Sequence, residues 1–149
     1  MFPVRESASP HEFRNIMNLR YRVLRQPWDQ PFETSQDELE DHAVNAYIAD
    51  ETGEVIACGR LQENAARTGQ VRFMAVAPGQ QGKGLGRQVL RYLEEKAVTL
   101  GFVKIELQAR ENAVYFYEAN GYRVKEKSFL LWGLIQHYLM EKVLDKGKA

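Results

Sequence analysis

The chain has 149 residues, 44% hydrophobic and 27% charged, with 20 Lys plus Arg against 20 Asp plus Glu, which suits one globular domain over 1–149 that needs no staples. Balanced charge supplies no global field for nucleic acid or an anionic membrane, the lone Cys58 excludes an internal disulfide, and His11, His42 and His137 lack metal-ligand spacing. Met1–Pro10 has no apolar run behind its charges and no stretch of about twenty apolar residues follows, so the expected location is the cytoplasm.

Phe13, Ile16, Met17, Tyr21 and Leu24 recur at helical spacing, with Glu12, Arg14, Asn18 and Arg22 on the wet face and Pro27 closing the helix. From Gln26 to His42, two prolines and the acidic run Asp37, Glu38, Glu40 and Asp41 read as an irregular crossing with room for a short helical turn. Such a segment either lines a site or is a solvated connector.

The period then changes to two. Val44, Ala46 and Ile48, a turn at Thr52–Gly53, and Val55, Ala57, Gly59 and Leu61 predict a hairpin. Ala65–Gly69 turns into an apolar strand over 70–77, expected at the sheet centre. Leu85, Val89, Leu90, Leu93, Ala97 and Leu100 make one stripe of a helix from Gly84 to Leu100, stopped by Gly101. Val103, Ile105 and Leu107 alternate in a strand that should run parallel to the one before the helix. A short helix from Asn112 to Asn120, the strands Tyr122–Leu131 and Leu134–Val143, and frayed residues after Asp145 complete the chain.

The most informative stretch is the passage from strand to helix through Gly79, Gln80, Gln81, Gly82, Lys83, Gly84, Leu85, Gly86 and Arg87. Three glycines at alternate positions suit a backbone that turns sharply and passes close to a ligand. Unpaired amides at a helix start, with Lys83 and Arg87 beside them, suit a diphosphate. A nucleoside-triphosphate loop would need a lysine and a hydroxyl after the last glycine, and Leu85 and Arg87 stand there instead. The spacing also departs from a dinucleotide fingerprint. The competing reading is a plain connector.

Gln81, Gly84 and Gly86 match the Gln/Arg-x-x-Gly-x-Gly/Ala signature of the GNAT N-acetyltransferases, and Asn112, Ala113, Phe116, Tyr117, Glu118, Gly121 and Tyr122 resemble that superfamily's second cofactor-binding segment. The two motifs stand in the right order and separation, and the resemblance covers nearly the whole chain. Leu19–Val23, Asp37–Asp41, Ala57–Leu61 and His137, Tyr138 and Met140 resemble a branch related to ElaA acyltransferases, from which Leu24, Arg25, Gln26 and Pro27 depart.

The resemblance implies a mixed α/β fold: a mostly antiparallel sheet with helices on both faces and one splayed parallel strand pair. It implies transfer of an acetyl group from acetyl-CoA to a primary amine on a small molecule or peptide. Main-chain amides of 81–87 (Gln81, Gly82, Lys83, Gly84, Leu85, Gly86, Arg87) would cradle the diphosphate, Met74, Ala75 and Val76 would pair with pantetheine, and Asn112, Phe116 and Tyr117 would complete the cofactor site. An N–H near Val76 would stabilise the oxyanion. A homodimer is plausible by family analogy.

In the family a tyrosine at the Tyr117 position donates to the departing thiolate, which a neutral phenol can do. Aromatic packing is the competing reading, and Tyr115 and Tyr122 read as packing residues. A neutral amine requires a proton acceptor. His137 is the leading candidate, followed by Glu106, His42 and Glu40, with a water relay compatible with all of them. Cys58, without a histidine partner, reads as ordinary core.

On the acceptor side, Arg20, Arg22, Arg25 and Trp28 would favour an acidic or aromatic substrate if they line an entrance, whereas Asp37–Asp41 would attract a basic one; each group also reads as plain solvated surface. Two alternatives to acetyl transfer are a longer acyl group and a coenzyme A-binding module without turnover.

Overall fold

The structure, a computed structural model, describes residues 2–144, so the expected fraying after Asp145 lies outside the described residues. Its strands are β1 (Arg5–Glu6), β2 (Val44–Ala49), β3 (Val55–Ala65), β4 (Thr68–Val76), β5 (Lys104–Arg110), β6 (Arg123–Leu131) and β7 (Ile135–Val143). Its α-helices are α1 (Pro10–Arg20), α2 (Leu85–Thr99) and α3 (Val114–Ala119). One sheet holds the strands in the order β1-β2-β3-β4-β5-β7-β6, with β4 and β5 parallel and every other neighbouring pair antiparallel. This is the mixed, mostly antiparallel sheet expected from the sequence.

Local chemistry sets the helix ends. Ser9 accepts a bond from the Glu12 amide at 3.2 Å while the Glu12 carboxylate accepts from Ser9 Oγ at 3.1 Å, a reciprocal cap with Pro10 at the first helical position. At its other end α1 loosens into a π turn over Tyr21–Arg25 and a 3₁₀ turn over Gln26–Trp28. Pro27 carries no N–H, so the ladder stops and the preceding carbonyls seek other donors. In α2, Leu85, Val89, Leu90, Leu93 and Ala97 are buried as the stripe requires. Leu100 is 51% exposed instead, because the helix has ended at Thr99 before that position returns to the core.

Helices cover both faces of the centre. A Cβ on Gly59 of β3 would collide with Met74 Sδ and meet Val89 and Leu93 of α2. Arg60, next along the strand, points the other way, into a cluster reached from α1. With both faces covered, β2 and β3 bury nearly every residue from Asn45 to Gln62 that lies in a strand.

That cluster corrects two expectations. Arg20, expected at an entrance or in solvent, is fully buried; its guanidinium donates to Ser35 O (3.1 Å), Glu40 Oε2 (3.0 Å) and Asn45 Oδ1 (2.7 Å). The acidic run is not simply wet. Asp37 takes a two-pronged bond from fully buried Arg60 (2.7 and 2.9 Å) and a third from Arg72 (3.0 Å), while Glu40 bridges Arg20 and Arg60. Two carboxylates thus moor the Gln26–His42 crossing to the sheet, through three 3₁₀ turns. Charge-assisted bonds explain the mooring: a buried guanidinium without a counterion would be far costlier than the order imposed on the loop.

Arg60, then the Leu39 amide, hold the Asp37 carboxyl down from 3.8 to about 2. A carboxylate depressed in the folded state stabilises fully above its unfolded value and loses that contribution as pH falls through the folded one. Denaturant titrations should therefore show the protein losing stability between pH 3.8 and about 2 through this group. Asp37→Ala should remove that component and lower the unfolding free energy at neutral pH by about 3 kcal/mol.

Candidate active site

Strands β4 and β5 are in register from Thr68 and Lys104 to Val71 and Leu107, then part, although β4 continues to Val76 and β5 to Arg110. A bulge accounts for the parting. Cys58 pairs with Ala75 and Arg60 with Arg72, so Phe73 and Met74 together stand against Gly59 alone. Phe73 takes a left-handed φ of 54°, unusual for a bulky residue. The guanidinium carbons of Arg20, Arg60 and Arg72 lie 4.3, 4.9 and 4.8 Å from its ring centre and hold the ring in place. Beyond the bulge, Ala77 N–H donates back to Ile56 O at 2.9 Å. Strand alternation then turns the Val76 N–H toward the opened edge.

A cleft of about 730 Å³ fills the mouth of this gap. Met74, Ala75 and Val76 form one wall, Gln81, Gly82, Gly84, Leu85, Gly86 and Arg87 a second, and Asn112, Phe116 and Tyr117 a third. Of the residues proposed from sequence for this site, Lys83 alone does not line it: its Nζ lies 3.2 Å from Gln80 Oε1 on the exposed rim. Gly84 caps α2 at φ 81° without any side-chain bond, and the first helical bond is Gln88 N–H to Gly84 O at 3.1 Å. The amides of Leu85, Gly86 and Arg87 consequently have no intrahelical acceptor, an arrangement that favours an anion. A Cβ on Gly86 would lie 3.4 Å from both Val76 Cγ2 and Phe116 Cζ, so its bareness lets loop, strand and α3 converge.

A second cavity, about 340 Å³, opens on the other side of the gap and shares Leu24, Met74, Arg110, Ala113 and Tyr117 with the first. Tyr117 stands at the junction, 7% exposed, edge-on to Phe116 and Tyr122 at 5.0 and 5.7 Å between ring centres. Burial raises its phenol well above the ordinary value of 10.0, so the hydroxyl keeps its proton across the useful pH range. Tyr122 is occupied elsewhere, donating to Glu94 at 2.9 Å, and Tyr115, read as packing, is 84% exposed.

His137 lines the second cavity, stacked on Phe129 at 4.4 Å. Its Nδ1 lies 3.0 Å from Ile135 O; a carbonyl can only accept, so Nδ1 carries the proton and Nε2 keeps the lone pair. Burial lowers its pKa below 6.5, opposed by the Ile135 bond and aided by the Arg110 charge. The other candidate bases lie apart: Glu106 pairs with Lys104 at 3.2 Å where β4 and β5 remain joined, and Glu40 is committed to Arg20 and Arg60. His42, in the last 3₁₀ turn of the crossing, lines neither cavity. Burial lifts the Cys58 thiol to about 11, in keeping with an inert core residue.

Of the expected entrance, Arg25 reaches the second cavity and Trp28 the first, whereas Arg22 pairs with Glu54 at 3.2 Å on the surface. Sequence reasoning missed Arg72, Phe73 and Arg110. Arg110 carried a usable signal, at the end of the β5 alternation two residues before Asn112. Phe73 carried none, because a bulge leaves no mark in hydrophobic period. Among the described residues no group of three His, Cys, Asp or Glu could hold a metal, and no helix is long and apolar enough to cross a membrane.

Residues 11–122 match the model of the Acetyltransferase (GNAT) family. The uncharacterized N-acetyltransferase YjcF of Bacillus subtilis (strain 168) is 30% identical over 138 residues, covering 91% of this chain and 96% of YjcF. A crystal structure from Lactobacillus plantarum, provisionally described as an N-acetyltransferase, superposes with a TM-score of 0.86 at 26% identity, covering 97% of this chain and 99% of that one. Escherichia coli ElaA shares the fold at a TM-score of 0.79 and 14% identity, over 95% and 99% of the two chains.

The His137 environment yields a direct expectation. Its imidazole should titrate below pH 6.5 in proton–carbon NMR spectra, and Arg110→Gln should move the midpoint upward by removing a nearby positive charge. A midpoint above 6.5, or one indifferent to Arg110, would contradict the placement of the ring.

Proposed function

The chain belongs to the Acetyltransferase (GNAT) family, and from that premise we propose that it is an N-acetyltransferase acting from acetyl-CoA on a primary amine, as one domain over 1–149. The observation that carries this reading is the meeting of two cavities at Tyr117, one walled by uncapped helix-start amides and the other by His137. The cofactor fits this chain's residues on three counts. The amides of Leu85, Gly86 and Arg87 suit an anion, Gly82 and Gly84 have open space where a side chain would stand and leave the loop bare for close approach, and the opened β4 edge offers main-chain groups to a pantetheine amide.

Bound acetyl-CoA supplies a thioester; an amine nitrogen forms the new C–N bond at its carbonyl carbon as the C–S bond breaks. His137 Nε2 accepts the proton the amine must lose, directly or through water. The Val76 N–H, turned into the gap, donates to the carbonyl oxygen as negative charge gathers there. Tyr117 donates a hydrogen bond or its proton to the departing sulfur, which leaves as the thiol once a proton reaches it from Tyr117 or solvent, and exchange with solvent restores both residues. One proton leaves the amine and one reaches the thiol, so the cycle balances. Two fixed cavities meeting at the reacting atoms supply the orientation, and no covalent enzyme intermediate is needed.

Within the family we assign the chain to an ElaA-related branch on the residues already named, and place it in the cytoplasm as a homodimer.

Tyr117→Phe should lower kcat by about 100-fold and weaken coenzyme A affinity far less, measured as thiol release and by calorimetry. Unaltered kcat would remove Tyr117 from the chemistry, and coenzyme A binding without turnover of any acyl-CoA on a broad amine panel would replace catalysis with a binding role. Gly84→Val imposes a side chain on a left-handed residue, a strain of about 1–2 kcal/mol. It should weaken coenzyme A roughly tenfold; full affinity would place the diphosphate elsewhere.

A further inference from the structure

We infer that the second cavity selects an acceptor amine that also carries a carboxylate, held by Arg25 and Arg110. This inference rests on the acyl-transfer reading of the same site and names the class of substrate it takes.

The argument begins with how the fold distributes charge. Five arginines, Arg20, Arg25, Arg60, Arg72 and Arg110, surround or approach the bulge. Asp37 and Glu40 are given to Arg20, Arg60 and Arg72. Arg25 and Arg110 meet no carboxylate among the described residues, and no Asp or Glu lines the cavity. The two remaining guanidiniums are also drawn together. Arg25 Nη1 and Arg110 Nη2 both donate to one carbonyl, Leu24 O, at 3.2 and 3.0 Å. That oxygen is available because the helix ends in a π turn ahead of Pro27.

Two like charges sharing one neutral acceptor in a half-buried cavity repel each other, and an anion between them would relieve that repulsion. The arrangement is held from outside. Arg25 Nε donates to Thr34 O at 3.0 Å, and its guanidinium carbon lies 5.3 Å from the Trp132 ring centre and 5.5 Å from that of Phe73. A guanidinium fixed in this way presents its remaining N–H groups in the planar fork that suits a carboxylate.

The rest of the cavity defines the other end of the acceptor. Phe129 and Leu131 supply apolar surface, Gln70 and Gln108 uncharged polar groups, and His137 and Tyr117 the groups placed at the reaction. A volume of about 340 Å³ suits a small molecule of amino-acid size. Bare cations disfavour a polyamine or a lysine side chain flanked by basic residues, since like charges in a confined site oppose binding.

The test uses the full chain with acetyl-CoA and matched acceptors: phenylalanine, its amide and phenethylamine, with an aliphatic amino acid and its decarboxylated amine, read by thiol release. The carboxylate member of each set should exceed its partners at least tenfold in kcat/KM. Arg25→Gln should raise KM for the carboxylate acceptor at least tenfold, leave KM for the neutral partner unchanged, and leave coenzyme A affinity intact. Arg25→Lys, which keeps the charge and loses the fork, should fall between. Equal or better turnover of the uncharged or cationic partners, or an equal loss for all acceptors in Arg25→Gln, would overturn the assignment. Calorimetry with phenylacetate on the acetyl-CoA-saturated protein separates the two ideas. Saturable binding weakened at least tenfold by Arg25→Gln supports the anion site even where no acceptor turns over, which would count against acyl transfer alone. No binding of phenylacetate would reject the anion site even where amines are acylated.

Discussion

The structure depends on one broken pairing. Parallel strands β4 and β5 are joined for four residue pairs and then separate, and both cavities exist because they do. Left alone, an opened central edge would close, since unpaired N–H and C=O groups in a sheet interior are costly. The bulge at Phe73 and Met74 prevents closure by consuming an extra residue on β4 and swinging its far end away. Gly59 makes room for Met74 opposite, and without that bare position the sulfur and α2 could not both pack there.

Left-handed backbone at Phe73 is strained, on the order of 1–2 kcal/mol for a side-chain-bearing residue, so something must hold it. The guanidiniums packed about its ring do so, and the carboxylates of Asp37 and Glu40 hold the guanidiniums. Strain in the strand is thereby balanced by charge in the crossing loop. A segment of three short 3₁₀ turns, with little apolar surface of its own, is ordered for the same reason. The loop and the gap are two ends of one charge network.

Much of this architecture was legible in the chain. Period-two and period-3.6 patterns placed the hairpin, the parallel pair, α2 and the closing strands, and alternate glycines marked the helix mouth. What could not be read was which charges were interior. Arg20 follows Ile16 by four residues and Met17 by three, on the apolar stripe itself, but a guanidinium there reads as surface, and Asp37–Asp41 looks like any wet acidic run; only the fold brings residues 20, 37, 40 and 60 together. Hydrophobic patterning treats every arginine as surface, so a buried ion cluster is invisible to it. The two-residue strand β1 was missed because it is too short to show a period. At Lys83 the sequence offered both a main-chain amide and a side-chain charge, and the turn carries the side chain out to the rim beside Gln80.

Net neutrality of the chain conceals a local asymmetry that the fold creates. With 20 basic and 20 acidic residues, composition forecasts no preference for either sign of ligand. Yet the carboxylates nearest the bulge are consumed in holding it, and the cavity behind the bulge is left lined by arginines alone among charged groups. The same network that opens the sheet therefore also sets the sign of the space it opens. Burial works against this charge without removing it: desolvation first, then the charges of Arg110, Arg72 and Arg20, bring Arg25 down to about 10, which still leaves it charged at neutral pH. Nearby His137 is shifted in the same direction, toward the neutral form, by burial first and then by the charge of Arg110. Burial is the larger cause and the Arg110 charge adds to it against the Ile135 bond, so a cation that would repel a basic substrate also favours the neutral imidazole that can accept a proton from an amine.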